Sequence, residues 1–586
     1  MQELISKQLV KYLVDRGVEY VFGLCGHTNI ALLAEFEGTP LKFINTRHEQ
    51  IAAHMADGYA RTKHTTAVVL SHLGPGLTNA STGVANAALD SVPMVVIAGD
   101  IPSHYYGKHP HQEVNLHADA AQSEIYRPFV KRVWRVERPS LFPEILQKAF
   151  QLAEEGRPGP VLVSVPMDIF SQRIDTTLFE KLSHHTQTLH KPTIDEGVAE
   201  RIVEMLARAK RPLLYAGGGV ILADAAEELR KFVEHMGLPV AHSLMGKGVL
   251  PDDHPLTLGM SGFWGTQFVN DQCRGADVVF GAGTRFAEAD CSSWEPSFTF
   301  SFPPTRLIHI DIDSNEIGRN FPVEIGAVAD LKQALIVLNR VAKRLFPAGR
   351  KADELAARIS AYRTSFVASN AEHIRSDAYP MRPERILADV RSVLPRDAII
   401  TTDVGWNKNG VGQQFPIYTP GSILTPGGYA TMGFGAPAAL GAKLANPDRI
   451  VVALVGDGGF GQNPSVLATA AEENIAVVWV VMNNGAYGTI AGLEMAHFGT
   501  TYGTVFKRDG KNYSPDFAAV ARAFGVDGVR IESAQQFRPA FEHAIASGKP
   551  VVIDVAMMNE PVPTAGHWNI NEIYSPDKAV SHVAVA

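Results

Sequence analysis

At 586 residues the chain exceeds what one hydrophobic core can serve, and ordinary domain sizes divide it into three or four units. With 46% apolar and 19% charged residues it has the balance of a globular protein with large buried cores. A net charge of -8 without a block of like charges excludes a basic surface for nucleic acid or an anionic membrane, and three scattered cysteines exclude a disulfide framework or zinc site.

The opening MQELISKQLVKYLVDRG has helical amphipathicity with charges throughout, and no apolar run reaches the ~18 residues of a membrane span, so a cytoplasmic protein is expected. A first unit, 1–180, alternates helices with short apolar strands at Leu41–Asn45, Thr66–Leu70, Pro93–Ala98 and Val161–Pro166. Arg47-His48-Glu49-Gln50 opens the helical pattern EQIAAHMADGYAR just after the first of these. Taken alone, Glu49 reads as an acid favoured by a helix dipole. Gly26-His27 and Ser71-His72 put two histidines at loop ends facing one predicted crevice, with Gln112 further on. Histidine titrates near neutrality, so the pair suits proton transfer, whereas either alone reads as structural. The polar stretch 182–191 reads as a linker.

A middle unit, 192–347, has strands at Pro212–Ala216, Val278–Ala282 and Arg306–Ile312. Gly217, Gly218 and Gly219 follow the first strand, where backbone amides can cradle a phosphate. Gly262-Phe263-Trp264-Gly265, Gly283-Thr284-Arg285 and Asp311 stand beside them. A charged helical stretch, 351–375, leads to the third unit, 376–560, and a tail, 561–586, without strong periodicity.

The third unit carries the sharpest signal. Two β-branched strands, Arg449–Val455 and Ile475–Met482, flank a helix over Gln462–Glu473. Gly456-Asp457-Gly458 follows the first strand and Asn483-Asn484 the second, roughly two dozen residues on. In a right-handed strand-helix-strand unit the carboxyl ends lie side by side, so Asp457 and Asn484 converge on one crevice. Hard oxygen ligands beside closely approaching backbone suit a magnesium ion bridging phosphates. The alternation throughout predicts an α/β protein of three doubly wound parallel-sheet domains.

The GDG and NN spacing closely resembles the signature of thiamine diphosphate enzymes. With RHEQIAAHMADGYAR, GPGLTNASTGVANAALDSVPMVVIAGD and HQE, the chain resembles the acetohydroxyacid synthase and pyruvate oxidase branch over essentially its full length. That resemblance implies pyrimidine-binding, Rossmann-like middle and diphosphate-binding domains in that order. It implies Asp457, the Asn484 side chain and the Ala486 carbonyl as magnesium ligands, with Gly456 and Gly458 beside the diphosphate. It implies that Glu49 hydrogen-bonds N1′ of the aminopyrimidine, that Gly26 lies near the cofactor, that Met432 wedges between its two rings, and that the Ala430 carbonyl accepts from its amino group. Met432 is otherwise a core methionine on a glycine-rich surface. In the middle unit Gly217, Gly218, Gly219, Gly262, Gly283, Arg285 and Asp311, with Arg157, look like elements that bind FAD in a structural role; the alternative is an empty dinucleotide groove. Because Glu49 and the metal motif belong to different units, the family arrangement implies a homodimer or homotetramer with sites at subunit interfaces.

The substrate end departs from the synthases. Ala289 stands where they carry an arginine for the second 2-oxo acid, and Leu493 where they carry a tryptophan. No apolar side chain replaces a bidentate arginine. His72 before GPG is placed much as in benzoylformate decarboxylase, and His72 with Gln112 resembles cyclohexane-1,2-dione hydrolase. The expected activity is thiamine diphosphate-dependent cleavage or formation of a carbon–carbon bond next to a carbonyl, on a small 2-oxo acid or 1,2-diketone, with Glu49, His27, His72 and Gln112 catalytic. Acetolactate synthesis and flavin-linked oxidation of a 2-oxo acid are the alternatives.

Overall fold

The β-branched runs of the three units become strands buried on both faces, which is the environment a continuous apolar run demands. The computed structural model describes residues 1–183 and 190–574, so the linker and tail expectations lie partly outside the described residues. It holds three six-stranded sheets whose pairings are all parallel.

The first sheet contains β1 (Tyr20–Gly23), β2 (Lys42–Asn45), β3 (Ala67–Ser71), β4 (Met94–Asp100), β5 (Val133–Arg135) and β6 (Pro160–Pro166), in the order β2-β1-β3-β4-β6-β5. The middle sheet, β7 (Pro212–Ala216), β8 (Val240–His242), β9 (Thr257–Met260), β10 (Val278–Ala282), β11 (Arg306–Asp311) and β12 (Ile325–Val328), runs β9-β8-β7-β10-β11-β12. That is the Rossmann order. The third, β13 (Ile399–Thr402), β14 (Ile423–Leu424), β15 (Val451–Gly456), β16 (Val478–Asn483), β17 (Asp527–Arg530) and β18 (Val551–Ala556), runs β14-β13-β15-β16-β18-β17. The first and third sheets therefore share one strand order despite unlike sequences.

The two outer domains are fused through helices. In α1 (Glu49–Lys63) and α2 (Gly435–Ala445), glycine brings backbone against backbone: a Cβ on Gly58 would lie 2.9 Å from Ala438 Cα, and one on Gly441 2.9 Å from the Tyr59 nitrogen. One apolar cluster runs through this contact, from Ile51 and Met55 into Phe434 and Ala438.

One expectation changes. The opening is not helical from its start, because Gln2–Leu4 pairs antiparallel with Arg173–Asp175 and the helix begins at Ile5. The tail is docked as far as it is described: Trp568 lies 5.2 Å from the Phe263 ring, His567 stacks on Phe298 at 4.7 Å, and Tyr574 meets His497 and Phe498 of α3 (Gly488–Phe498).

Candidate active site

Ligands of open α/β sheets sit where the strand order reverses, beyond the carboxyl ends of the strands. All three reversals here carry residues singled out from sequence: β1 and β3 lead into His27 and His72, β7 and β10 into Gly217 and Gly283, and β15 into Asp457 beside β13.

At the first reversal the structure brings His27, His72 and Gln112 together. His72 is buried, with Nδ1 2.7 Å from Thr28 Oγ1 and Nε2 2.7 Å from Gln112 Oε1. The Gln112 carbonyl oxygen can only accept, so Nε2 carries the proton and Nδ1 accepts from Thr28. His27 lies edge-on to His72 at 4.7 Å, and His111 follows at 6.1 Å. Desolvation first, then the two neighbouring imidazoles, lowers the His27 pKa and so favours its neutral form. Gly26 is glycine because a side chain there would strike the His72 ring.

Glu49 opens α1 as expected but is only 5% exposed, and its Oε2 accepts from Asn79 Nδ2 at 3.0 Å. Gly76 lies between the two: a Cβ there would be 3.1 Å from His72 Cβ and 3.2 Å from Glu49 Oε1. The carboxylate and the histidine cluster are thus neighbours.

At the third reversal Asp457 is buried and its carboxyl pKa is pushed up to about 6 by desolvation, against backbone N–H groups from Asn484, Gly458 and Gly485. Asn484 Nδ2 donates to Asn559 Oδ1 at 3.1 Å, and its own Oδ1 lies 3.3 Å from the Ala486 nitrogen. Among the described residues no group of three His, Cys, Asp or Glu gathers to hold a metal, so a cation here would rest on one carboxylate, one amide and a carbonyl. That donor set fits a hard divalent ion. Beside it, a Cβ on Gly458 would be 3.2 Å from the Met432 methyl, and one on Gly456 2.8 Å from Asn407 Nδ2. Asn407 Oδ1 is buried without a partner, an orphan acceptor beside the motif. Ala430 adopts φ 52°, a left-handed backbone.

At the middle reversal a cavity of about 1240 Å³ opens between the first and middle domains. Gly217, Gly218, Gly219, Gly283, Arg285, Asp311 and Arg157 line it. Asp311 is raised to about 6 by burial, and Arg157, held by Ser91 of its own domain at 2.8 Å, reaches Glu316 of the middle domain at 2.8 Å. Its size and its glycine-rich wall fit a dinucleotide. Gly262 does not belong to it. Its backbone packs under the Ala289 carbonyl and against Gly566 of the tail.

Sequence reasoning missed Thr28, which fixes the His72 tautomer, and Asp403, whose carboxylate accepts from the Gly433 and Gly435 nitrogens at 3.1 and 2.9 Å. An acid directly after the strand Ile399–Thr402 was the available signal for Asp403. Nothing local marks Thr28.

Comparison with known proteins agrees with this geometry. Residues 5–121 match the N-terminal TPP binding domain of thiamine pyrophosphate enzymes, 199–338 their central domain and 403–555 their C-terminal TPP binding domain. The "Probable acetolactate synthase large subunit" of Methanococcus aeolicus is 34% identical over 574 residues, covering 94% of this chain and 92% of that protein. The chain belongs to the thiamine pyrophosphate enzymes. The acetolactate synthase large subunit of Parasynechococcus marenigrum is 35% identical, over 93% of this chain and 86% of its own, and the acetolactate synthase of Arthrospira platensis 33%, over 96% of each. This thiamine pyrophosphate enzyme is acetolactate synthase-like, and each of its three matched segments falls on a different one of the three sheets. No helix among the described residues is long and apolar enough to cross a membrane.

Proposed function

We propose that this thiamine pyrophosphate enzyme cleaves or forms a carbon–carbon bond next to a carbonyl of a 2-oxo acid or 1,2-diketone. The observation that carries the proposal is the adjacency of Glu49 to a tautomer-fixed His72 with neutral His27 against it. Bound thiamine diphosphate would supply the electron sink for that bond. Asp457, the Asn484 side chain and the Ala486 carbonyl would hold magnesium, and Met432, beside Gly458, would wedge the cofactor. Glu49, shielded from water and steadied by Asn79, is suited to share a proton with a weakly basic ring nitrogen. His72 can donate from Nε2, Gln112 orients it, and neutral His27 can accept a proton from substrate or water.

The cavity would hold FAD on Gly217, Gly218, Gly219, Gly283, Arg285, Asp311 and Arg157. The hydrogen-bond partner of Glu49 comes from the first domain and the neighbours of Met432 from the third. By the family resemblance, we assign each complete site to two copies of the chain, in a homodimer or homotetramer, in the cytoplasm.

The relatives favour a second reading, acetolactate formation. Ala289 and Leu493 speak against it, since neither can hold a second carboxylate. The likeness to cyclohexane-1,2-dione hydrolase rests on His72 and Gln112. Mass spectrometry of products from pyruvate, benzoylformate and cyclohexane-1,2-dione, with the enzyme loaded with cofactor, separates these. Acetolactate as sole product establishes the second reading. Flavin bleaching during turnover marks an oxidase, and no heat of binding with thiamine diphosphate and magnesium ends the proposal.

A further inference from the structure

We infer that Lys408 is a positioning residue for the cofactor wedge: its enclosed ammonium ties down the arch Thr425–Gly435, which carries Ala430 and Met432. Only the role of Met432 rests on the function proposed above.

Both feet of the arch are held by charge. At one foot the Thr425 carbonyl accepts from Arg61 Nη1 at 3.0 Å and the Pro426 carbonyl from Lys408 Nζ at 3.2 Å, while the Gly427 and Gly428 nitrogens donate to Asp90 at 2.8 and 2.7 Å. At the other, Gly433 and Gly435 donate to Asp403. Arg61 also pairs with Asp90 at 2.8 Å. Lys408 is 8% exposed, Asp90 5% and Asp403 0%. Burial pushes the Lys408 pKa below its ordinary value, and the charges of Asp90, Asp290 and Asp403 oppose that shift. The contact through which Lys408 holds the arch is its hydrogen bond to the Pro426 carbonyl.

Hydrogen bonds to charged groups are about twice as strong as neutral ones, so removing the ammonium takes a strong donor from the Pro426 carbonyl. That loss slackens one foot. Between the feet Ala430 holds a left-handed backbone that only surrounding restraint keeps in place.

The test compares the full-length protein with Lys408→Met, which keeps the stem and removes the charge. Amide hydrogen exchange is read by mass spectrometry over 425–435, and the C2 proton of added thiamine diphosphate is followed as it exchanges into deuterium oxide. In the variant, amide protection in the arch is expected to fall by roughly tenfold with other peptides unchanged. C2 exchange slows by about tenfold, while the dissociation constant for thiamine diphosphate with magnesium moves by less than about threefold. Equal arch protection in both proteins overturns the inference, and so does a loss spread evenly over the chain. A wild type that neither binds thiamine diphosphate nor exchanges its C2 proton sinks the functional proposal instead, and the amide readout still judges Lys408. Should Lys408→Met fail to fold, Lys408→Met with Asp290→Asn removes an acid together with the base and carries the same expectations.

Discussion

Glu49 is a carboxylate whose neighbours restrict what it can do: Asn79 holds one oxygen, and the other faces the Gly76 gap beside His72. Glu49→Gln keeps that shape and removes the shared proton. Turnover is expected to fall by about 10²–10⁴-fold, the range of one general acid-base group, with an unchanged melting temperature. A second residue-scale prediction concerns His54, buried in α1 against Phe434 with its pKa lowered to about 3 by desolvation and then by the Arg61 charge. Its folded pKa lies below the ordinary 6.5, so the unfolded chain binds the proton first on acidification. The stability His54 confers is complete above pH 6.5 and is lost as the pH falls toward 3. Relative to His54→Gln, the wild type should lose about 2 kcal/mol of unfolding free energy between pH 7.5 and pH 5, measured by urea titration. An equal slope in both proteins refutes this. The place of Glu49 at a helix start was legible in the sequence because a strand end precedes it, whereas its role came only from the resemblance. Lys408 was not legible, since the Pro426 carbonyl that it holds lies on a separate segment of the chain.

At the scale of elements, the sequence was most readable where one constraint acted alone. Runs such as Val278–Ala282 can only be strands buried on both faces, and they appear with the expected bounds. Gln2–Leu4 reads as helix by its pattern but is claimed by Arg173–Asp175, a partner far along the chain. Gly262 resembles part of a ligand-binding element, yet its missing side chain makes room for the Ala289 carbonyl, as that of Gly566 does for the Gly262 carbonyl. The contact between α1 and α2 follows the same rule and is open to test. A methyl at Gly441 would overlap the Met55 carbonyl of α1, a wall of backbone that cannot swing aside. Gly441→Ala is expected to cost about 1–3 kcal/mol, the usual penalty for overpacking, and to lower the melting temperature by several degrees. A melting temperature equal to the wild type would show that the helices part without cost.

At the scale of the whole molecule, the cavity lies where the domains are tied together. Arg157 crosses from the first domain to Glu316, and Arg285 from the middle domain to the Leu89 carbonyl at 2.8 Å, both on its wall. A ligand seated there touches both domains at once and is lost when they separate or unfold, so it must stabilise the assembled chain by mass action. At FAD one hundredfold above its dissociation constant the gain is about 2.7 kcal/mol, a few degrees for domains of this size. Purified protein is therefore expected to carry flavin absorbance, to melt at a lower temperature once stripped, and to recover on adding FAD. Arg157→Ala removes the bridge to Glu316 and leaves that buried carboxylate with Arg319 alone, at 3.6 Å. This variant should retain less flavin and show a smaller shift on adding it, while magnesium and thiamine diphosphate still bind at Asp457. A colourless protein whose melting temperature ignores FAD would assign the cavity to another ligand, and the same melts with adenosine diphosphate in place of FAD would then separate a dinucleotide site from one that takes only its adenosine half.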